Sequence, residues 1–303
     1  MSIALATYNG AKYLPELLDS LSHQTLMPDE IIISDDCSND NTVQILEQYS
    51  KKLPIRIIRN KSNLGVNKNF EKTIKNCTGD YILICDQDDV WFSNNIEEKI
   101  RVLEKMPTNQ PALVTTQSVV TDKKLRILQK GYASKDIDDW RFLFTKHYQG
   151  TTMAFNRKLL DVLPGHWPET FGEFPYDYCI YLTALLTGNV YASKKALMCY
   201  RTHDNNVSIK VSKIKNFIKR IFPTHKLYQD RICIRMMNNM EWLLRAIDES
   251  VIIEERKSCF LSICNCVKKL RIDWLCFLRI NSLPLSIRLR SIFGSVVFFF
   301  KEL

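Results

Sequence analysis

Short apolar runs and helical stripes alternate along the first ninety or so residues. Ser2 to Thr7 is an apolar run that breaks at Tyr8-Asn9-Gly10 and reads as a strand. Leu14, Leu17, Leu18 and Leu21 recur at the three- and four-residue spacing of one helix face. Ile31 to Ser34 then reads as a strand, Val43 to Tyr49 as a helix, Ile55 to Ile58 as extended, Phe70 to Asn76 as helical and Tyr81 to Cys85 as extended. Parallel neighbours need a crossover between them, so this order predicts an α/β fold: a mostly parallel central sheet with helices on both faces. Ligands of such sheets bind beyond the carboxyl ends of the strands. Three polar clusters fall there: Thr7-Tyr8-Asn9-Gly10, Asp35-Asp36-Cys37-Ser38 and Asp86-Gln87-Asp88-Asp89.

The middle of the chain is less regular. Ala112 to Thr116 and Thr152 to Phe155 read as further strands, and Asp177 heads the helical pattern Cys179 to Leu186. Asp136 to Trp140, with Pro164, Pro168 and Pro175, marks loops suited to choosing an acceptor. From about Val211 the pattern becomes one of basic, interrupted apolar stretches, read as long helices: Phe217 to Phe222, Trp274 to Arg279 and Ile292 to Phe300. None reaches the roughly 18 uninterrupted apolar residues of a membrane span. Apolar runs edged by Lys and Arg suit helices lying on an anionic membrane surface, or packing on the first part of the chain or on a second subunit.

Charge sharpens this division. Residues 1–204 carry a net charge of −1 and residues 205–303 a net +10, which together make the +9 of the 303-residue chain. All the basicity lies in the tail, which points to an anionic partner, lipid or nucleic acid, or to a solvated helical face. The ten cysteines lack the paired spacing of a disulfide framework or a zinc site, and read as buried thiols in a reducing compartment. No signal peptide pattern precedes the first strand. The expected location is cytoplasmic, peripheral on the inner face of the plasma membrane.

The acidic clusters carry the chemistry. Asp35 and Asp36 suit turn formation and capping before Asn41-Thr42-Val43. With Asp86, Asp88 and Asp89 added, like charges gather at a density that calls for a cation. Mg²⁺ or Mn²⁺ at such a site takes one or two carboxylates and the phosphates of its ligand. Neither GxGxxG nor GxxxxGK[ST] occurs, which argues against a dinucleotide dehydrogenase and a P-loop phosphotransferase.

Ala4 to Gly10 with Tyr13-Leu14, Gln24-Thr25, Pro28 to Ser38, Asn63-Leu64-Gly65, Gly79-Asp80-Tyr81 and the Asp86 cluster together resemble family 2 glycosyltransferases. The resemblance covers about residues 1–210. Asp-Gln-Asp-Asp-Val-Trp and Gly150 to Asn156 look most like the bacterial rhamnosyltransferase-like branch. It implies a GT-A catalytic domain over 1–210, followed by a basic helical region over 211–303 that serves as a membrane-surface or oligomerisation module. It also implies inverting transfer from a nucleotide-diphosphate sugar to a polysaccharide or lipid-linked oligosaccharide, with Mg²⁺ or Mn²⁺ as cofactor.

Residue by residue, the resemblance sets Ala6, Thr7 and Tyr8 against the nucleotide and gives Asp35 or Asp36, with Asp36 favoured, the ring nitrogen of the base. Asp86 falls to the sugar side, and Asp88 to the metal with Asp89 as its alternative. Asp177 aligns with the general base, with Glu173 in reserve. His203 lies in Tyr200 to Ser208, which resembles the loop closing many of these sites, and would meet the metal or the diphosphate, with Arg201 adding positive charge. Cys37 departs from the pattern, where the family usually has Gly. Two other readings stand beside this one. A nucleotidyltransferase would share the nucleotide and metal but needs a glycine- and lysine-rich signature that is absent near the N-terminus. A nucleic-acid binder would rest on the basic tail, which shows no recognisable nucleic-acid module; no nucleic-acid partner is expected.

Overall fold

A computed structural model describes residues 1–129, 149–167, 175–203, 206, 241–258, 261, 285–290 and 297–302. Met1–Asp136 and Tyr148–His203 form one compact unit, while Ile137–His147 and Asp204–Leu303 form the second. Outside the described residues lie Asp136 to Trp140, His147, Pro168, the reserve base Glu173, the tail stretches Phe217 to Phe222 and Trp274 to Arg279, and part of the loop that follows His203.

In the first unit, strands and helices alternate as the pattern predicts: β1 (Ser2–Thr7), α1 (Leu14–Ser22), β2 (Glu30–Asp35), α2 (Thr42–Tyr49), β3 (Ile55–Arg59), α3 (Val66–Lys75) and β4 (Tyr81–Asp86). The two-residue β5 (Val90–Trp91) and α4 (Asn95–Leu103) follow, then β6 (Ala112–Thr121), β7 (Ile127–Gln129), β8 (Met153–Asn156), α5 (Arg157–Val162), α6 (Tyr176–Thr187) and β9 (Asn189–Arg201). The sheet runs β3-β2-β1-β4-β8-β6-β9-β5, with β7 paired to β6. Pairs β1–β2, β1–β4, β2–β3 and β6–β9 are parallel, whereas β8 is antiparallel to both β4 and β6. Mixed α/β architecture and a mostly parallel sheet are the arrangement the sequence predicts.

Alternation across the pleat explains how the layers seal. Ile3, Leu5, Ile31, Ile33, Leu83 and Cys85 pack with the α1 leucines Leu14, Leu17, Leu18 and Leu21 in one core cluster. Ala4, Ile32, Ile82 and Ile84, the alternating positions, are also fully buried, and α3 packs on β1 and β2 with Phe70 and Ile74 buried. Each leucine so buried contributes about 1.5–3 kcal/mol relative to leaving it exposed.

β9 is an element that the sequence pattern does not announce. Ser193-Lys194-Lys195 interrupts its apolar positions, and register shifts in its pairing with β6, between Thr115 and Gln117 and between Gln117 and Val119, break a clean period of two. Only Leu197, Met198 and Arg201 of this strand are buried.

The second unit corrects one expectation. Ile292 to Phe300 reads as helical in sequence, yet β10 (Leu285–Arg290) and β11 (Val297–Glu302) pair antiparallel, with Leu285 opposite Glu302 and Arg290 opposite Val297. Leu-Ser-Ile-Arg-Leu-Arg alternates with period two, and Val-Phe-Phe-Phe has high strand propensity, so local pattern favours the ladder. Residues 241–246 and 254–258 are helical. Among the described residues, no helix is long and apolar enough to cross a membrane.

The turn after β2 contains a residue in an unfavourable backbone conformation. Cys37 has φ 63°, the left-handed region where a Cβ costs about 1–2 kcal/mol. Glycine there carries an unfolded-state entropy cost of about 0.5–1 kcal/mol. The expected net effect of Cys37→Gly is a gain of about 0.5–1 kcal/mol, read as a raised urea midpoint; an unchanged or lowered midpoint would show that the turn does not impose this φ.

Candidate active site

Register brings the strand ends together. Ala6 sits opposite Asp86 of β4, and Thr7 opposite Asp35 of β2, so the end of β1 is flanked by carboxylates on both sides. The Thr7 hydroxyl donates to Asp35 Oδ1 at 3.0 Å, and Ser38 donates to the same carboxylate through its hydroxyl at 2.6 Å and its N–H at 3.0 Å. Asp36 accepts from Asn60 Nδ2 at 3.0 Å, Leu64 N–H at 2.7 Å and Gly65 N–H at 2.9 Å. Both carboxylates are buried and hold turns in place, Asp35 the one after β2 and Asp36 the loop that leads into α3.

Beneath them runs an amide network that pattern reading does not find. Asn60 Nδ2 also donates to Asn69 Oδ1 at 3.0 Å, Lys72 Nζ donates to Asn60 Oδ1 at 2.7 Å, and Asn69 Nδ2 reaches the carbonyl of Ser34 at 2.9 Å. The turn after β1 is gripped from the acidic cluster. Gln87 accepts from Tyr8 N–H at 2.9 Å and returns a bond to the Tyr8 carbonyl at 3.0 Å. A Cβ on Gly10 would lie 2.2 Å from Gln87 Oε1, so this grip requires glycine there. Tyr8 itself remains exposed at the mouth of the crevice.

The acidic cluster divides by direction. Asp86, half-buried at the end of β4, is pushed up to about 8, first by desolvation and then by the charges of Asp88 and Asp177. Asp177, in the first turn of α6, is raised to about 7 by desolvation, partly offset by hydrogen bonds from its own backbone and that of Gly150. The charge of Asp177 is felt at Asp86, so the start of the sequence-distant α6 lies beside the acidic cluster, at a cost in repulsion. Gly150 keeps this wall close: a Cβ there would lie 2.2 Å from the hydroxyl oxygen of Tyr176. Tyr176 stacks on Phe70, with ring centroids 3.9 Å apart, and its N–H donates to Asn67 Oδ1 at 3.0 Å.

Asp88 meets His203, whose Nε2 lies 2.8 Å from Asp88 Oδ2. Asp89 turns inward. Fully buried, it accepts the N–H of Arg201 at Oδ1 (3.1 Å), and its carboxyl is raised well above the usual range by desolvation, then by Asp88 and Asp86. Among the described residues, its Oδ2 has no hydrogen-bond partner. Lys99 shares this interior, over the ring of Trp91 at 4.8 Å, and burial lowers it to about 7. Asp89, expected as the alternative metal ligand, lies buried beneath the cluster, and one of its oxygens holds the backbone of β9.

Arg201 is engaged within the protein too. Expected to lend charge to the diphosphate, it is only 1% exposed. Its Nε donates to the Asp88 carbonyl at 2.8 Å, one terminal nitrogen to the Lys123 carbonyl at 3.1 Å, and the other pairs with Glu16. Its guanidinium also lies 4.6 Å from the centre of the Tyr13 ring. Arg201 thus ties α1, the acidic cluster, β9 and the turn after β6 together.

Among the described residues, no three His, Cys, Asp or Glu side chains converge to hold a metal ion unaided. A magnesium- or manganese-nucleotide site needs only one or two protein donors, because diphosphate and water supply the rest. Asp88 and His203 meet that requirement, beside the carboxyl of Asp86. The residues fit a metal diphosphate. The described cysteines are free thiols, and burial pushes Cys77 up to about 12.

A mostly parallel sheet with an acidic crevice at its carboxyl ends and a carboxylate at a helix start has the arrangement of a GT-A transferase. Residues 2–163, more than half of the chain, match the Glycosyl transferase family 2 profile, and the chain belongs to that family. The dTDP-rhamnosyl transferase RfbG of Shigella flexneri is 28% identical over 213 residues, covering 67% of this chain and 72% of RfbG. The chain spans 60% of the length of the mycobacterial relatives it matches at 25% identity. In fold, it is similar to S. aureus TarS 1-349 in complex with UDP-GlcNAc, with a TM-score of 0.56, 17% identity, and coverage of 99% of this chain and 97% of that one. It is also similar to the mannosyltransferase PcManGT of Pyrobaculum calidifontis in complex with GDP-Man and Mn²⁺, with a TM-score of 0.53, 14% identity, and coverage of 93% and 76%.

Replacing Arg201 by Gln leaves the Lys123 carbonyl and Glu16 without their charged donor. The expected loss is about 2–4 kcal/mol in urea unfolding, since a truncated buried charged network exposes unpaired groups. A stability within 0.5 kcal/mol of the wild type would return Arg201 to a donor-binding role, because about that much is ordinary for surface substitutions.

Proposed function

We propose that this chain is a metal-dependent inverting glycosyltransferase moving a hexose or deoxyhexose, such as rhamnose, from a nucleotide-diphosphate sugar. The acceptor is a hydroxyl of a surface polysaccharide or lipid-linked oligosaccharide. The observation that carries this reading is the convergence of Asp86, Asp88 and Asp177, with burial raising Asp177 to about 7. A dTDP-rhamnosyl transferase among the relatives supports the deoxyhexose, and the Mn²⁺ complex of PcManGT supports the cofactor. The tail, with its net +10, supports a peripheral position on the cytoplasmic face of an anionic membrane.

In this reading Ala6, Thr7 and Tyr8 border the nucleotide, and Asp35 and Asp36 shape the pocket for its base. Asp86 faces the sugar and takes hydroxyl hydrogen bonds that fix the ring for attack. Asp88 and His203 would hold Mg²⁺ or Mn²⁺, which when bound stabilises charge on the departing diphosphate. Asp177 accepts the proton of the acceptor hydroxyl as its oxygen attacks the anomeric carbon. The carbon–oxygen bond to the nucleoside diphosphate breaks in line, and configuration inverts. A carboxylate with pKa near 7 suits this task, being largely unprotonated in mildly alkaline conditions yet basic enough to take a proton.

Thermal shift against a panel of nucleoside-diphosphate sugars with and without Mn²⁺ tests donor class. A matching donor is expected to raise the melting point only with the metal present, and Asp88→Asn to remove that response. No response to any donor would sink the reading. A second prediction concerns the base. Because only the unprotonated Asp177 works, kcat/KM should fall about tenfold per pH unit below about pH 7 and level off above it. Asp177→Asn should keep donor binding and lose about 10²–10⁴ in turnover; a near-normal rate moves the base elsewhere.

A further inference from the structure

His203 and Arg201 arrive at Asp88 from β9, but both also touch one side chain from the other end of the chain. Tyr13, the residue that opens α1, stacks on His203 with ring centroids 4.7 Å apart and planes 27° from parallel. The Arg201 guanidinium lies 4.6 Å from the same ring centre, and Lys12 Nζ lies 4.9 Å away. Arg201 holds the Asp88 backbone carbonyl, while His203 faces the Asp88 carboxylate. One half-buried ring therefore borders both groups that set the position of Asp88. The backbone fixes where that ring stands: the N–H groups of Tyr13 and Leu14 both donate to the Gly10 carbonyl at 3.1 Å, and the Gly10 N–H donates to Thr42 Oγ1 at 2.8 Å.

We propose that Tyr13 is a positioning residue for the transfer reaction, its ring holding the His203 imidazole against Asp88 and joining the nucleotide-side turn to the diphosphate end of the site. This rests on the reading of Asp88 and His203 as the cation donors. The face of the ring supplies the effect, so an aromatic replacement preserves it. A flat neighbour restricts the imidazole to orientations that keep Nε2 directed at the carboxylate. A stack of this kind also favours the nucleotide-side turn and the cation donors being ordered together, because each borders the same ring.

The test is an Mn²⁺ titration of the full chain, read by the electron paramagnetic resonance of free Mn²⁺, with UDP, dTDP and GDP in turn. Thermal unfolding is recorded for each variant. Tyr13→Leu is expected to weaken Mn²⁺ retention about tenfold, as loss of a partner that orients a metal-binding His does, and Tyr13→Phe to stay within about twofold of the wild type. In the double variant Tyr13→Leu, His203→Gln the tyrosine change should add nothing to the loss caused by His203→Gln. A merely structural Tyr13 would lower the melting point of Tyr13→Leu without moving its Mn²⁺ midpoint, and that result overturns the proposal. Equal losses in Tyr13→Phe and Tyr13→Leu overturn it too, by assigning the effect to the hydroxyl. If Tyr13→Leu does not fold, the ring protons of His203, identified by their disappearance in His203→Gln, decide: they should resonate upfield in the wild type and in Tyr13→Phe, and unshifted positions overturn the stack. A wild type that retains no Mn²⁺ with any of the three nucleotides overturns the cation reading itself.

Discussion

The register of β1 between β2 and β4 is the constraint on which the site depends. A parallel ladder aligns strand ends, and here it aligns Thr7 with Asp35 and Ala6 with Asp86. The core enforces that alignment, since a one-residue slip would carry Ile3, Leu5, Ile31, Ile33 and Leu83 out of contact with the α1 leucines. Acidic groups are thus crowded together by hydrophobic packing some distance away. The resulting repulsion is visible at Asp86, which burial and its acidic neighbours push up to about 8. In the proposed reading, the metal diphosphate relieves this destabilising charge arrangement.

What could be read in the sequence follows from how locally each feature is encoded. The first four strands and three helices were legible because their apolar positions keep one period and end at turn residues. The acidic clusters were legible because strand ends in such sheets face one crevice, and Asp177 because it heads a strongly apolar helix. β9 was not, since its polar interruption and its irregular pairing with β6 leave no period to detect. Its absence from the pattern hid the true partners of Arg201 and Asp89. Both residues look like site residues when only their neighbours in sequence are considered, and the burial of Asp89 comes from the 13-residue β9, far from the acidic cluster in sequence. The tail misled in the opposite sense: helix-like basic composition overrode the period-two alternation of Leu285 to Arg290.

Adjacent carboxylates can do opposite work because Asp88 lies in the turn after β4 and Asp89 just before β5. Asp88 and Asp89 are neighbours, yet one faces His203 and the other accepts the backbone N–H of Arg201. The inward carboxylate anchors β9, and β9 delivers His203 to the outward one, so the pair forms a closed loop of support. Arg201 completes it from the side, holding the carbonyl of Asp88 while Glu16 fixes its far end. A residue placed in this way shapes affinity without touching the ligand. It follows that substitutions at Asp89 or Arg201 would mimic loss of a binding residue in an activity assay, and only a stability measurement separates the two. The same logic applies to Asp35 and Asp36, whose carboxylates are already engaged by Thr7, Ser38, Asn60, Leu64 and Gly65. In the proposed reading they serve nucleotide recognition through the shape and rigidity of the turns they hold, together with whatever lone pairs those bonds leave free.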